Sequence, residues 1–334
     1  MNLSRRGFFQ AAGTASLLRG VHQALAMALA TSRPARPWRP AIGLNGFMSS
    51  SRTFKKQYPL REILEFASRE RFEGVELVNN WPEGPYPDPD DKARCAALRE
   101  LYDHYGLRIF AIQSSPKGRP HAPDLAERTE WLNGLERQAR FAKSVGCEIV
   151  GLWPGGRLGD QTMDQAIANL CESYTKAAAI CGDLGMIAAI EIEPPFVFNT
   201  DEHLKRILAG VRHPSFKAIY DPSHYDQMNG ARGKPEELLR RIGVEHIGHV
   251  QFTDSDGTIF KGTSRHLGCG DGKLDIRENL RVLWEGGYRG WFMIDAWNTE
   301  DPYDASLKGK RAMESFLATV ENADSRKDVK LPGA

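Results

Sequence analysis

Residues 185–224 read GMIAAIEIEPPFVFNTDEHLKRILAGVRHPSFKAIYDPSH. Two short apolar runs, Ile187–Glu191 and Phe216–Asp221, each finish on an acid, and a segment with helical character lies between them. Strands that stay apolar for about five residues are buried on both faces, the habit of parallel sheets. An unpaired carboxylate inside such a sheet would be costly to desolvate. Glu191 and Asp221 are therefore expected at the carboxyl ends of adjacent strands, where a parallel barrel builds its active site, and two such acids side by side suggest a shared cation.

The same alternation extends in both directions. Ala41–Gly46, Gly74–Val78, Arg108–Gln113 and Cys147–Trp153 read as strands one to four, and His246–Phe252 and Trp291–Asp295 as seven and eight. Helical periodicity or helix-start chemistry marks Leu60–Arg71, Asp88–Tyr105, Asp124–Val145, Thr162–Leu184, Asp275–Gly286 and Ser306–Val320. Eight strand–helix units in about 285 residues predict a single closed (β/α)₈ TIM barrel, an α/β fold in one domain over residues 40–322. A doubly wound open sheet is the competing architecture, but no GxGxxG follows the first strand and eight repeats favour closure. Residues 323–334 form a polar tail.

The chain has 334 residues, of which 41% are hydrophobic and 26% charged, an ordinary balance for a globular protein. With a formal net charge of +1 and Lys and Arg spread along the chain, it lacks the basic footprint of a nucleic-acid binder. The five cysteines, Cys95, Cys147, Cys171, Cys181 and Cys269, are odd in number and contain no CxxC pair, which argues against a thiolate zinc site or a disulfide framework.

The N-terminus points to a compartment. Ser4-Arg5-Arg6-Gly7-Phe8-Phe9-Gln10 precedes AAGTASLL and then ALAMALA, a pattern that resembles a bacterial twin-arginine export signal with small-residue cleavage sites near Ala28 or Ala30. Arg19 and His22 interrupt its apolar core. Residues 1–32 are set aside as this signal, and 33–39 as a Pro- and Arg-rich linker. The expected location is the periplasm or beyond, or the cytoplasm if the signal does not function. No other stretch reaches the roughly 18 apolar residues of a membrane span.

In a barrel the strand ends converge, so Glu76, Gln113, Trp153, Glu191 with Glu193, Asp221 with His224, His249 with Gln251, and Asp295 become neighbours. Oxygen donors dominate. They favour one hard divalent ion, Mn²⁺ or Mg²⁺, with Co²⁺ and Zn²⁺ as alternatives, over a structural zinc site.

The order GMIAAIEIEPPFVFNT, YDPSH, HIGHVQFTD, HLGCGDGKLD and GGYRGWFMID resembles the xylose-isomerase-like superfamily of sugar isomerases, epimerases and related enzymes, over about Arg39 to Val320. The resemblance implies one metal ion held by Glu191, Asp221, Gln251 and Asp295. It leaves Glu193 as a competitor of Glu191, and His249 as the neighbour of Gln251 on the same strand face. Asp295 stands where a glutamate is more common, and its shorter reach makes it a better ligand than a mobile base. Asp221 has a plainer role open to it as the cap of the following turn. His224, three residues on, suits a contact to substrate or to a ligand. Glu76 is either a pocket acid or a buried partner of an Arg. Arg265 and His266 precede the LGCGDG turn, where relatives place a basic substrate contact, and solvent exposure is the alternative for Arg265. Trp153, Phe196 and Trp297 could wall a sugar face, whereas Trp291 suits core packing.

The implied chemistry is removal of a proton next to a carbonyl, with Glu191 as base and His224 or a second acid such as Asp295 returning the proton. Glu76, Glu193, His224, His249 and Arg265 are the expected substrate contacts. The expected partner is a small sugar or glycoside, and a homo-oligomer is compatible with the sequence. The outcome is isomerisation or epimerisation, or, as the alternative, elimination from a 3-keto-glycoside by a lyase. A noncatalytic sugar-binding barrel is a weaker reading. Apurinic endonucleases share the barrel but need histidines on the early strands, where this chain has Glu76 and Gln113.

Overall fold

The computed structural model describes residues 36–78, 84–228 and 234–327. The expected export signal and the first three residues of the linker lie outside them, as does most of the polar tail, and the end of the expected linker, Trp38 and Arg39, belongs to the first strand. Parallel strands β1 (Trp38–Gly43), β2 (Gly74–Leu77), β3 (Arg108–Ser114), β4 (Ile149–Leu152), β5 (Ile187–Ile190), β6 (Phe216–Tyr220), β7 (Ile247–Phe252) and β10 (Gly290–Ile294) close a barrel in the order β1-β10-β7-β6-β5-β4-β3-β2. A two-stranded antiparallel hairpin, β8 (Ile259–Phe260) and β9 (Thr263–Ser264), is inserted after β7.

Helices wrap the outside: α1 (Leu44–Phe54), α2 (Leu60–Arg69), α3 (Lys92–His104), α4 (Leu125–Val145), α5 (Met163–Asp183), α6 (Asp201–Gly210), α7 (Pro222–Gln227), α8 (Pro235–Ile242), α9 (Ile276–Glu285) and α10 (Pro302–Lys327). Their starts are chemically marked. Asp91, Asp124, Thr162, Thr200, Asp221 and Asp275 each accept a backbone N–H of the first turn, and Thr162 with Gln165 forms a reciprocal capping box. A continuous apolar core fills the space between helices and strands.

Several boundaries differ from expectation, among them the start of α3 at Lys92 in place of Asp88, and three have a local physical reason. The first strand begins at Trp38 and stops at Gly43, because Leu44 and Phe47, three apart and fully buried, face the core with the period of a helix. The short helix α7 follows directly on Asp221, where a turn was expected. The last helix starts at Pro302, since the Asp301 carboxylate accepts the N–H groups of Tyr303 and Asp304.

Inside the barrel the side chains form two layers. The lower one is Ala41, Phe110, Ala111, Ile149, Ala189, Ile219, Trp291 and Met293. Two residues further along the same strands, where the pleat again points inward, stand Gln113, Gly151, Glu191, Asp221 and Asp295. At Gly74 an added Cβ would lie 2.5 Å from the Trp291 ring, so glycine there lets the indole fill the lumen.

Candidate active site

A cavity of about 320 Å³ opens at the carboxyl ends of the strands. Glu76, Gln113, Glu191, Glu193, Gln251 and Asp295 bring oxygen and amide groups to it, His224 and His266 bring imidazoles, and Trp153, Phe196 and Trp297 supply aromatic wall. Asn45 and Thr263 complete the described lining, and the described residues in it include neither Lys nor Arg.

Glu191 is held at one oxygen. Its Oε2 accepts the Trp153 indole N–H at 2.6 Å and the Gln113 amide N–H, while Oε1 lies 3.5 Å from His224 Nε2. Gly151 makes this approach feasible, because a Cβ there would sit 1.4 Å from Gln113 Oε1. Burial raises the Glu191 carboxyl well above its ordinary range, and the nearby Asp221, Asp295 and Glu76 raise it further. Glu193 accepts the Thr263 hydroxyl at 2.7 Å, lies 3.9 Å from His224 Nε2, and is pushed up to about 7, chiefly by burial.

Asp221 performs both roles that its position allowed. Oδ1 caps α7, accepting the Ser223 N–H and hydroxyl, each at 2.7 Å. Oδ2 is buried, has no hydrogen-bond partner, and lies 3.3 Å from His266 Nε2 and 3.7 Å from His224 Nε2. Burial alone would raise this carboxyl, but His224 and His266 hold it down at about 2. Asp295 accepts the Trp297 N–H through Oδ1 at 3.1 Å and presents Oδ2 at 3.3 Å from His266 Nε2. Burial would lower the His266 imidazole, yet Asp295 and Asp221 hold it well above the ordinary histidine range. Ligand-capable atoms of Asp221, His224 and His266 all lie within 4.8 Å of one another.

Strand β7 contributes differently from its neighbours. His249 is fully buried below the cavity, with Nε2 at 2.9 Å from Glu76 Oε2 and its ring edge-on to Phe110. It does not line the cavity, and it holds Glu76 from beneath. Gln251 reaches the cavity and donates its amide N–H to Glu76 Oε1 and Oε2 at 3.2 and 3.3 Å. Glu76 thus has a histidine and an amide as partners in place of the arginine considered from sequence.

Arg265 does not reach the cavity. Its guanidinium pairs with Asp256 at 3.1 Å and lies over Phe260, on the exposed side of the β8–β9 hairpin. Neighbouring residues of an extended chain point to opposite sides, so it is His266 that enters. Sequence reading also passed over Asp254. Its carboxylate accepts the backbone N–H groups of Ser255, Gly270, Gly272 and Leu274 at 2.7–3.1 Å and so ties down the whole glycine-rich turn. An acid two residues beyond Phe252, ahead of a glycine-rich stretch, was the available signal.

The residues fit a divalent cation. Carboxylates crowd one buried point, and two orphaned polar atoms, Asp221 Oδ2 and His266 Nε2, are aimed at it. The described residues contain no helix long and apolar enough to cross a membrane.

The chain is similar to known proteins over most of its length. The chain is 22% identical to a fructoselysine 3-epimerase of Escherichia coli O157:H7 over 79% of its own length and 95% of the relative's. It is 21% identical to an inosose dehydratase of Erwinia tasmaniensis over 77% and 89%. The crystal structure of the IolI protein with a bound zinc atom superposes with a TM-score of 0.67 at 16% identity, covering 84% of this chain and 98% of that one. Residues 64–316, most of the barrel, match a single family description, and the chain belongs to the xylose isomerase-like TIM barrel family.

Proposed function

We propose that this protein is a divalent-metal-dependent sugar isomerase or epimerase that removes a proton from the carbon next to a carbonyl. The observation that carries the reading is Glu191. It is a buried carboxylate whose Oε2 is fixed by Trp153 and Gln113, and whose Oε1 is left beside His224 in a cavity of sugar size.

Glu191, Asp221 and Asp295 would hold the ion, with Gln251 as the strand β7 donor read from the sequence. Mn²⁺ and Mg²⁺ suit these oxygens. A bound ion supplies Lewis-acid polarisation of a carbonyl oxygen. The protein's own residues do the rest. Glu191 takes the proton, and its fixed Oε2 keeps the basic oxygen from swinging away. His224, 3.5 Å from Glu191 Oε1 and 3.9 Å from Glu193 Oε2, passes a proton between the two acids, with Ser264 Oγ on its Nδ1 setting the ring. Trp153, Phe196 and Trp297 offer apolar faces to a sugar ring and keep bulk water from the reacting carbon. Return of the proton to the other face gives an epimer, and return to the neighbouring carbon gives the aldose–ketose isomer.

A lyase is the second reading, favoured by Asp295. Both of its oxygens are engaged, one by the Trp297 N–H and one beside His266, which restrains it as a second base. Elimination of a β-substituent needs only one strong base. The inosose dehydratase relative adds weight to this alternative.

The substrate is a neutral sugar or glycoside. The described lining is rich in carboxylates and its described residues include no Lys or Arg, a surface that repels a phosphate group. Export through the twin-arginine-like start would bring the enzyme to unphosphorylated solutes.

The test is incubation of the Mn²⁺-loaded protein in D₂O with free ketoses, aldoses and 3-keto-glycosides. Deuterium should enter at the carbon next to the carbonyl. Transfer of a substrate's own C2 deuterium to C1 without solvent label would rule out proton abstraction, and a higher kcat/KM for the phosphorylated form of a sugar would rule out the neutral substrate.

A further inference from the structure

The metal reading above leaves the imidazole of the site unassigned, because strand β7 offers an amide at Gln251. We propose that His266, carried by the insertion between β7 and α9, is the nitrogen ligand of the metal ion, and that Gln251 serves instead to position Glu76. This inference rests on the proposed metal-dependent reading of the site and names a ligand that neither the strand ends nor the resemblance assigned.

Three features of the insertion support it. First, His266 Nε2 stands 3.3 Å from Asp221 Oδ2 and 3.3 Å from Asp295 Oδ2. Neighbouring ligands on one octahedral ion with bonds of about 2.1 Å are themselves about 3 Å apart, so His266 Nε2 already stands at close to ligand spacing from both carboxylate oxygens. Second, the ring is oriented for ligation. Its Nδ1 donates to the Ser264 carbonyl oxygen at 2.9 Å, so Nε2 is the nitrogen turned toward the carboxylates and free to bind an ion once its proton is displaced, the usual orientation of a metal-bound histidine. Nε2 and Asp221 Oδ2 are both buried without hydrogen-bond partners, a costly state unless another group joins them. Third, the insertion is anchored at both ends. Asp254 pairs with Leu267 across a β-bridge and holds the turn beyond it through the backbone N–H groups of Gly270, Gly272 and Leu274. Ser264 Oγ meets Ser223 Oγ at 2.9 Å and also contacts His224, tying the insertion to α7, the helix that Asp221 caps. A ligand on a loop needs such support to be held in place.

Gln251 has the complementary geometry. Its amide nitrogen is committed to Glu76, and with His249 below it keeps that carboxylate turned into the cavity. An imidazole in place of an amide oxygen also softens the site and moves its preference from Mg²⁺ toward Mn²⁺, Co²⁺ and Zn²⁺.

The experiment uses the full chain, labelled with ¹⁵N-histidine and loaded with Mn²⁺, and reads the histidine nitrogen coupling by pulsed electron paramagnetic resonance alongside Kd by titration calorimetry. Wild type should bind one ion with one coupled imidazole. His266→Ala and His266→Gln should lose the coupling and weaken Kd by about 100-fold or more, beyond the usual effect of outer-shell changes. His224→Ala should keep the coupling, and Gln251→Met should keep it with a change in Kd below about tenfold. Stoichiometric binding with no histidine coupling in wild type would overturn the inference without reference to any variant. Coupling that persists in a folded His266 variant, or that disappears in His224→Ala, would overturn it while leaving the metal reading intact. A wild-type protein that binds no ion would overturn both.

Discussion

The lumen of the barrel holds two layers drawn from the same strands, and they differ in almost every physical respect. Below, Trp291 stacks on Phe110 with ring centroids 4.5 Å apart, among alanines, isoleucines and a methionine. Above, one pleat repeat along the strands, Gln113, Glu191, Asp221 and Asp295 replace Ala111, Ala189, Ile219 and Met293. The lower layer gains stability from burial, whereas the upper one gathers like charges that raise the Glu191 carboxyl and leave Asp221 Oδ2 without a partner. The lower layer supports the fold, and on the proposed reading the upper layer is arranged for chemistry, a division common where activity requires a strained site.

The sharpest way to break this comparison is Trp291→Ala. The indole is buried in the lower layer, so its loss should cost about 3–5 kcal/mol in denaturant unfolding. A cost below about 1 kcal/mol would mean that the floor of the lumen is not a support. Glu191→Gln acts on the upper layer with two opposite effects. Turnover should fall by roughly 10²-fold, about 2.7 kcal/mol in barrier. The same variant, freed of metal, should unfold at a higher denaturant concentration, by about 1 kcal/mol in stability, because a desolvated acid crowded by Asp221, Asp295 and Glu76 becomes neutral. A less stable metal-free variant would show that Glu191 is a structural residue first.

The smallest effect belongs to a carboxylate outside the lumen that is paired where Glu191 is crowded. Glu278 on α9 is held down at about 2 by hydrogen bonds from Arg281 and Arg240. A depressed carboxyl stabilises the fold above its unfolded value, here 4.5, and that contribution is lost as the pH falls through about 2. The group is solvent-washed and screened, so the loss should stay below about 1 kcal/mol. Glu278→Gln should flatten the pH dependence of the unfolding free energy by that small amount between those two pH values. An unchanged slope would show that the pairs contribute nothing measurable.

Legibility followed the range of the interactions. The strand ends at Glu76, Glu191, Asp221, Gln251 and Asp295 could be read because a strand's side-chain period is local, and all five sit at the mouth of the barrel or in its upper layer. The start of α1 was misread by the same rule, since Ala41–Gly46 carries no marker at Gly43 where the period changes from strand to helix. Arg265 and His266 show the limit more clearly. They are adjacent, both basic and on one insertion, yet one pairs with Asp256 at the surface and the other stands between two buried carboxylates.

What the sequence by itself determined was the barrel, through eight apolar runs alternating with helical faces, and the acids that close those runs, because both depend on spacing along the chain. What only the tertiary structure decided was the partner of each group. Trp153 and Gln113 meet on Glu191, His249 and Gln251 on Glu76, and Asp254 gathers the turn that aims His266. These contacts join residues from 16 to 175 positions apart, and no local period encodes a direction across such a distance.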